Sequence, residues 1–263
     1  VFTMTRLFSF SLIIFSSLVS LSVKGASEAD LIARARAIHD NVMALDTHVD
    51  IPLNFATSEH DPANAEAQVT LDAMHGGGLD AAFFIVYVGQ QERTEENYRK
   101  ARADAVAKFD AIHRMTDYMY SDRIGLADTA AEARAIFAEG KLVALIGIEN
   151  GFVIGKDLSL LEDFRKRGAR YMTLVHNGHN DIGDSAQPRP QFGDMETEHG
   201  GLSDFGLDVV DELNRQGILV DISHVSRQTM LDATRHSKAP VIASHSSVTA
   251  IADHPRNMND EQL

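Results

Sequence analysis

The 263-residue chain has no cysteine, and few of its charges are positive. Without cysteine there is no disulfide, no thiolate metal site, no cysteine nucleophile and no lipid anchor on an N-terminal cysteine. Only 24 residues are Lys or Arg against 38 Asp or Glu, a formal net charge of -14. That balance disfavours nucleic acid and anionic membrane as partners. A second long hydrophobic run is also missing. The first, Leu7 to Leu21, follows Met4 and Arg6 and precedes the small residues Gly25, Ala26 and Ser27. It reads as a secretory signal peptide over residues 1–27, with no stable membrane span in the mature chain and a secreted or periplasmic location. What remains is ordinary for a globular protein, at 44% hydrophobic and 24% charged, and is long enough for a sizeable core.

From residue 28 on, strand and helix patterns alternate. Apolar runs at 43–48, 81–88, 142–148, 169–175, 218–222 and 240–244 read as strands. Helical periodicity covers 28–40, with Leu31, Ile32, Ala35 and Ile38 on one face, and then a long stretch from 95 to 122. Thr129 with Glu132 three residues later reads as a capping box, and Gly140 as the end of that helix. Further helices are expected at 158–166, 205–215 and 226–236, the last capped by Ser226. Alternation of this kind predicts a parallel sheet with helices outside it. No internal repeat or dividing linker is visible. The polar stretch from Asn177 to Gly201 is a long loop, of the sort that usually carries function.

Five of the six strands end in a potential metal ligand or acid-base group: His48 with Asp50, Glu149, His176, His224 and His245. In a strand, residues i and i+2 share a face, so His48 and Asp50 project together. In parallel α/β barrels the strand C-termini gather at one face, where the chemistry sits. Imidazoles and carboxylates are the zinc ligands left to a protein without cysteine. Three imidazoles and two carboxylates can hold two divalent ions, with Glu149 bridging and His224 and His245 on the second. A two-metal site acidifies water and polarises a scissile carbonyl. The remaining histidines (39, 60, 75, 113, 179, 199, 236 and 254) read as surface or loop residues. Asp181 and Asp184 read as solvated, and Phe83, Phe84 and Tyr87 as core.

These residues sit in stretches that resemble the membrane (renal) dipeptidase family of zinc metallopeptidases and its secreted bacterial members. The matching pieces are Asp46-Thr-His-Val-Asp50, Ile148-Glu-Asn-Gly151, Arg170-Tyr-Met-Thr-Leu-Val-His176, Gly201-Leu-Ser-Asp-Phe-Gly206, Val220-Asp-Ile-Ser-His-Val-Ser226, Ser244-His-Ser-Ser247 and Pro255-Arg-Asn257. The resemblance implies a (β/α)8 TIM-like barrel of the metallo-dependent hydrolase type and a binuclear centre of two Zn2+. It implies that His48, Asp50 and Glu149 hold one zinc, and Glu149, His224 and His245 the other. His176 would contact the substrate and the tetrahedral intermediate, and Arg256 the C-terminal carboxylate of a dipeptide. A metal-bridging hydroxide would attack the peptide carbonyl.

Asn150 stands where mammalian members have glycine, and Val175 where they have threonine; both bear on substrate preference more than on metals. About six of eight βα units are expected in residues 28–263, so the resemblance implies an incomplete barrel and a further site aspartate beyond Leu263. Two other functions fit the same residues. One is a related binuclear amidohydrolase acting on N-acyl amino acids, cyclic amides or β-lactams. The other is a non-catalytic module that binds metal or peptide. A second copy of the chain, forming a homodimer, is a candidate partner beside the dipeptide.

Overall fold

A computed structural model describes residues 26–64 and 66–263. The stretch read as a signal peptide lies outside the described residues, save its last two. The chain divides into two compact units after Ile38. Helix α1 (Glu28–His39) accounts for the described part of the first. Ser27 and Asp30 cap it reciprocally, each side chain accepting from the other's backbone N–H. The helix has no buried residue, so Leu31, Ile32 and Ile38 are exposed.

The second unit, from His39, is an α/β fold on a parallel sheet. Its strands are β1 (Leu45–Asp50), β2 (Ala81–Tyr87), β3 (Ile124–Leu126), β4 (Leu142–Glu149), β5 (Ala169–Thr173) and β6 (Leu219–Asp221). Its helices are α2 (Leu71–Gly77), α3 (Glu95–His113), α4 (Ala130–Ala138), α5 (Leu160–Lys166), α6 (Asp204–Gln216) and α7 (Arg227–His236). The strand order is β1-β2-β4-β5-β6. β2 pairs with β4 along its whole length. β3 and β5 divide the other edge of β4, β3 taking residues 142–144 and β5 residues 146–149. Among the described residues, no helix is long and apolar enough to cross a membrane.

Parallel strands covered on both faces are near-continuous apolar runs, and β2 (AAFFIVY) is buried from Ala81 to Val86. The outer face packs under the helices in one large cluster that includes Phe84, Phe109, Ile148, Met172 and Leu213. The inner face carries Phe83, Ile85 and Tyr171. Gly147 makes room for Tyr171: a Cβ there would lie 2.3 Å from its ring. The two ends of the strand order approach one another. Tyr171 Oη, on β5, donates to Thr47 O at 2.9 Å, and Thr47 Oγ1 donates to Ser244 O at 2.6 Å. This is the curvature of a TIM-like barrel.

Local chemistry explains most boundaries. The Thr129–Glu132 capping box forms as expected, and Ser226 accepts from Thr229 N. In α6, Ser203 caps the start, Gly217 in the left-handed region ends it, and Val209, Val210 and Leu213 face the core. Three expectations change. The long helix ends at His113 and runs on as a π-helical turn, Arg114–Met119. There Thr116 Oγ1 donates back to Ile112 O, competing with the regular ladder. The segment 71–77, left unassigned by its Gly-rich end, is a helix capped by Thr70. The run 240–244 is a single parallel bridge at Ile242. Pro240 has no N–H to offer, and Ser244 N turns to the Asp221 carboxylate instead of a strand.

Candidate metal centre

Glu149 ends the central strand β4 with its side chain buried, and four imidazoles converge on it. His224 Nε2 lies 3.0 Å and His245 Nε2 3.3 Å from Oε1. His176 Nε2 is 3.7 Å from the same oxygen, and His48 Nε2 is 3.4 Å from Oε2. Each imidazole comes from the C-terminal end of a different strand or its ladder continuation. At His48 the β1–β2 register shifts between Asp46 and Val49, and Asp46 Oδ1 accepts from His48 N at 2.8 Å. Such a bulge re-aims a side chain. His224 adopts φ +66, unusual for a non-glycine residue. Such strain clusters at functional sites.

Two ligand groups stand out, His48–Glu149–His245 and Glu149–His176–His224, with donor atoms in each within 4.8 Å of one another. Asp50 is in neither. Its Oδ1 lies 3.7 Å from His48 Nε2, on the shared face expected of i and i+2, but its side chain is 69% exposed. Arg256 Nη2 donates to His245 O at 3.2 Å, and its Nε is buried without a partner. All seven residues singled out by the sequence thus lie at or beside one centre.

Proton counting tests whether these groups fit a cation. Tyr171 Oη donates its one proton to Thr47 O, so toward His48 Nδ1, 3.1 Å away, it can only accept. Ser244 Oγ donates to Asp221 Oδ2 at 2.7 Å, so toward His245 Nδ1, at 2.8 Å, it too accepts. His224 Nδ1 faces Asn177 Oδ1 at 3.2 Å, an acceptor. All three Nδ1 atoms therefore carry the proton, and in neutral rings all three Nε2 atoms turn lone pairs toward Glu149. His224 Nε2 and His245 Nε2 are only 2.8 Å apart. Lone pairs and a carboxylate packed so closely favour a cation among them. The donor set is the nitrogen and oxygen set that zinc takes.

The electrostatics point the same way. Burial opposes ionisation of Glu149, but His224, His245 and His48 outweigh it and hold the carboxyl well below the usual range. Burial also opposes charge on His48, yet Asp50 and Glu149 lift its pKa from 6.5 to about 9. With no metal present, a proton takes the place of the cation there. Burial lowers His224, and burial together with neighbouring His224 lowers His176 to about 4. His176 packs against Tyr87, the rings tilted by 57° with centroids 4.8 Å apart. Tyr87 is thus at the site rather than in the core, whereas Phe83 and Phe84 are core.

Several supporting residues escaped the sequence reading. Asp221 is fully buried, and accepts from Thr173 Oγ1, Ser244 Oγ, Ser223 N and Ser244 N. An acid inside the apolar run 218–222 was the available signal, since carboxylates are rarely buried unpaired. The hydroxyl of Tyr171 in the apolar run 169–175 was another. Asp184, expected in solvent, is buried and accepts from four successive backbone amides, residues 198–201. Asn150 has φ +83, a conformation open to glycine, and its side chain ties Val88 O and Gln90 to Phe152 N.

A cluster of histidines around a buried carboxylate at the strand C-termini of a curved parallel sheet defines a metal-centred hydrolase frame. Residues 32–263 match the membrane dipeptidase family, peptidase family M19, and the chain belongs to that family. It is 33% identical over 248 residues to dipeptidase verJ of Clonostachys rogersoniana, covering 89% of this chain and 62% of that protein. It thus spans less than two thirds of that relative's length. The crystal structure of the probable dipeptidase PvdM from Pseudomonas aeruginosa superposes with a TM-score of 0.84 at 26% identity, over 90% of this chain and 60% of that one. The crystal structure of dipeptidase AC, a metallopeptidase of family M19, gives 0.65 at 28% identity, over 74% and 58%.

Proposed function

We propose that this chain carries the catalytic centre of a zinc-dependent dipeptidase that binds two Zn2+ about Glu149. The observation that carries this is the convergence of imidazole lone pairs on one buried carboxylate. In this reading His48, Asp50 and Glu149 hold one ion, and Glu149, His224 and His245 the other. Bound divalent ions supply Lewis acidity and make water acidic enough to act as a nucleophile near neutral pH.

The chain's own residues do the rest. Glu149 stays ionised and joins the two halves of the centre. His176, kept neutral by burial, donates its single N–H to the developing oxyanion without carrying a positive charge. Arg256 pairs with the C-terminal carboxylate of the substrate, where a guanidinium makes two charge-assisted bonds. Its buried, unpartnered Nε supports that role. The unit from His39 carries the catalytic face of an incomplete barrel, and residues 1–27 direct the protein out of the cytoplasm, to a secreted or periplasmic site.

The test is metal analysis of the full-length protein with a substrate panel of dipeptides and N-acyl amino acids. Two zinc per chain and chelator-sensitive cleavage of dipeptides are expected. Less than one metal per chain with activity untouched by chelator overturns the metal mechanism. Cleavage of N-acyl amino acids but not dipeptides overturns the substrate.

A further inference from the structure

Beside His176 lies a second feature that neither the metals nor Arg256 use. A cleft of about 250 Å³ is walled by Tyr87 and His176 on the side of the metal centre. Its other walls include Gln90, Gln91, Gln191 and Arg189. None of its lining residues is a carboxylate, although the chain holds 38 acids.

Several arginines here are neutralised by neighbours. Arg93, Arg123, Arg167, Arg170 and Arg215 each lie against a carboxylate. Among the described residues the Arg189 guanidinium has no ion pair and donates no hydrogen bond within the chain. A larger cleft, of about 610 Å³, offers the contrast: there Arg93 is taken by Glu198 and Lys156 by Asp181. Those cations are neutralised by their own neighbours.

The loop also holds Arg189 in position. Asp194 Oδ2 accepts from Arg189 N at 2.7 Å and from His179 N at 2.8 Å. Arg189 O accepts from Phe192 N at 2.8 Å, and Gly178 N donates to Gln187 O at 2.8 Å. Gly178, at φ +107, lets the arginine stem pass: a Cβ there would lie 3.2 Å from Arg189 Cγ and 2.9 Å from Gln90 Cγ. The Arg189 charge also reaches the Tyr87 hydroxyl, whose ring packs against His176. Gln90 is engaged, its Nε2 donating to Gln91 O and its Oε1 accepting from Asn150, but a guanidinium without an ion pair beside Gln91 and Gln191 can receive a carboxylate.

We propose that this cleft is a side-chain subsite for an acidic residue, with Arg189 as its cation, so that the preferred substrates are dipeptides containing glutamate or aspartate. The proposal rests on the dipeptidase reading above. It also runs against the overall field, since a chain of net charge -14 repels acidic substrates. A preference for them must come from a local cation.

The experiment is steady-state kinetics of the full-length, zinc-loaded enzyme on two isosteric pairs, Ala-Glu with Ala-Gln and Glu-Ala with Gln-Ala. In the wild type, one acidic member exceeds its amide partner in kcat/KM by roughly tenfold to a hundredfold, the value of a charge-assisted bond. Arg189→Gln brings that ratio close to one, and Arg189→Lys restores part of it. Ratios at or below one in both wild-type pairs overturn the subsite without any variant. Ratios above one that Arg189→Gln leaves unchanged overturn the role of Arg189. Cleavage of none of the four, with N-acyl amino acids cleaved, overturns the dipeptidase reading itself and the subsite with it.

Discussion

Asp221→Asn tests how the centre is held, because its effect can be worked out atom by atom. Oδ1 of Asp221 accepts from two backbone amides, Ser223 N at 3.1 Å and Ser244 N at 3.0 Å. Neither amide has another partner to turn to, so the asparagine oxygen must stay there. Its NH2 group then replaces Oδ2, which now accepts from Thr173 Oγ1 at 2.5 Å and Ser244 Oγ at 2.7 Å. Both hydroxyls must reverse and accept. Ser244 Oγ is then free to donate to His245 Nδ1, 2.8 Å away, which drives the ring to the Nε2–H tautomer. A proton now points into the metal centre.

Partners one step behind a metal ligand typically govern tenfold to a hundredfold in metal affinity, about 1.4–2.7 kcal/mol. Two bonds also lose their charge assistance, costing roughly 1–2 kcal/mol of stability, which leaves the fold intact. Chelator competition measures the affinity, and urea unfolding the stability. Ser244→Ala removes the hydroxyl without reversing it, so its metal loss should be smaller. Asp221→Asn binding two metals within about twofold of wild-type affinity would refute the tautomer argument, as would an equal loss in Ser244→Ala.

Gly147→Ala sets a Cβ 2.3 Å from the Tyr171 ring. It should destabilise by about 1–3 kcal/mol and weaken metal binding through lost support of His48 Nδ1, read by thermal unfolding and metal titration. Asp184→Ala strips the acceptor from four backbone amides at 198–201. A loss of roughly 2–4 kcal/mol and faster proteolysis within that loop are expected. In the metal-free protein, His48 has its pKa raised from 6.5 to about 9. Its folded form binds the proton more tightly, so that stabilisation is full below about pH 6.5 and fades as pH rises through 9. Urea midpoints of the metal-free protein should fall over that range, and His48→Gln should flatten the slope.

The candidate site residues were legible because they stand at strand ends, where apolar runs give way to His and Glu. His48, Glu149, His176, His224 and His245 needed only that pattern and the rule that parallel strands share a C-terminal face. What hid was whatever acts through another residue. Asp221 and Tyr171 sit inside apolar runs, and their roles come from partners 23 and 123 residues away in sequence. Fold order was visible for the same reason as the ligands. The weak points were places where a side chain overrides the backbone pattern. Thr116 turns the end of α3 into a π-helical turn, and Asp221 draws Ser244 N out of a would-be strand. Asp184 resembled any loop carboxylate until four amides were seen to converge on it. The apolar stripe of α1 followed helical period, but none of its residues is buried.

The central claim is that Glu149 and its ring of imidazoles form a two-metal centre. Anomalous diffraction at the zinc edge, from crystals of the full-length protein grown with zinc, tests it most directly. Two peaks flanking the Glu149 carboxylate, each within bonding distance of a histidine Nε2, are the predicted result. Zinc bound elsewhere, or no peak at Glu149 in a folded and active enzyme, would contradict it.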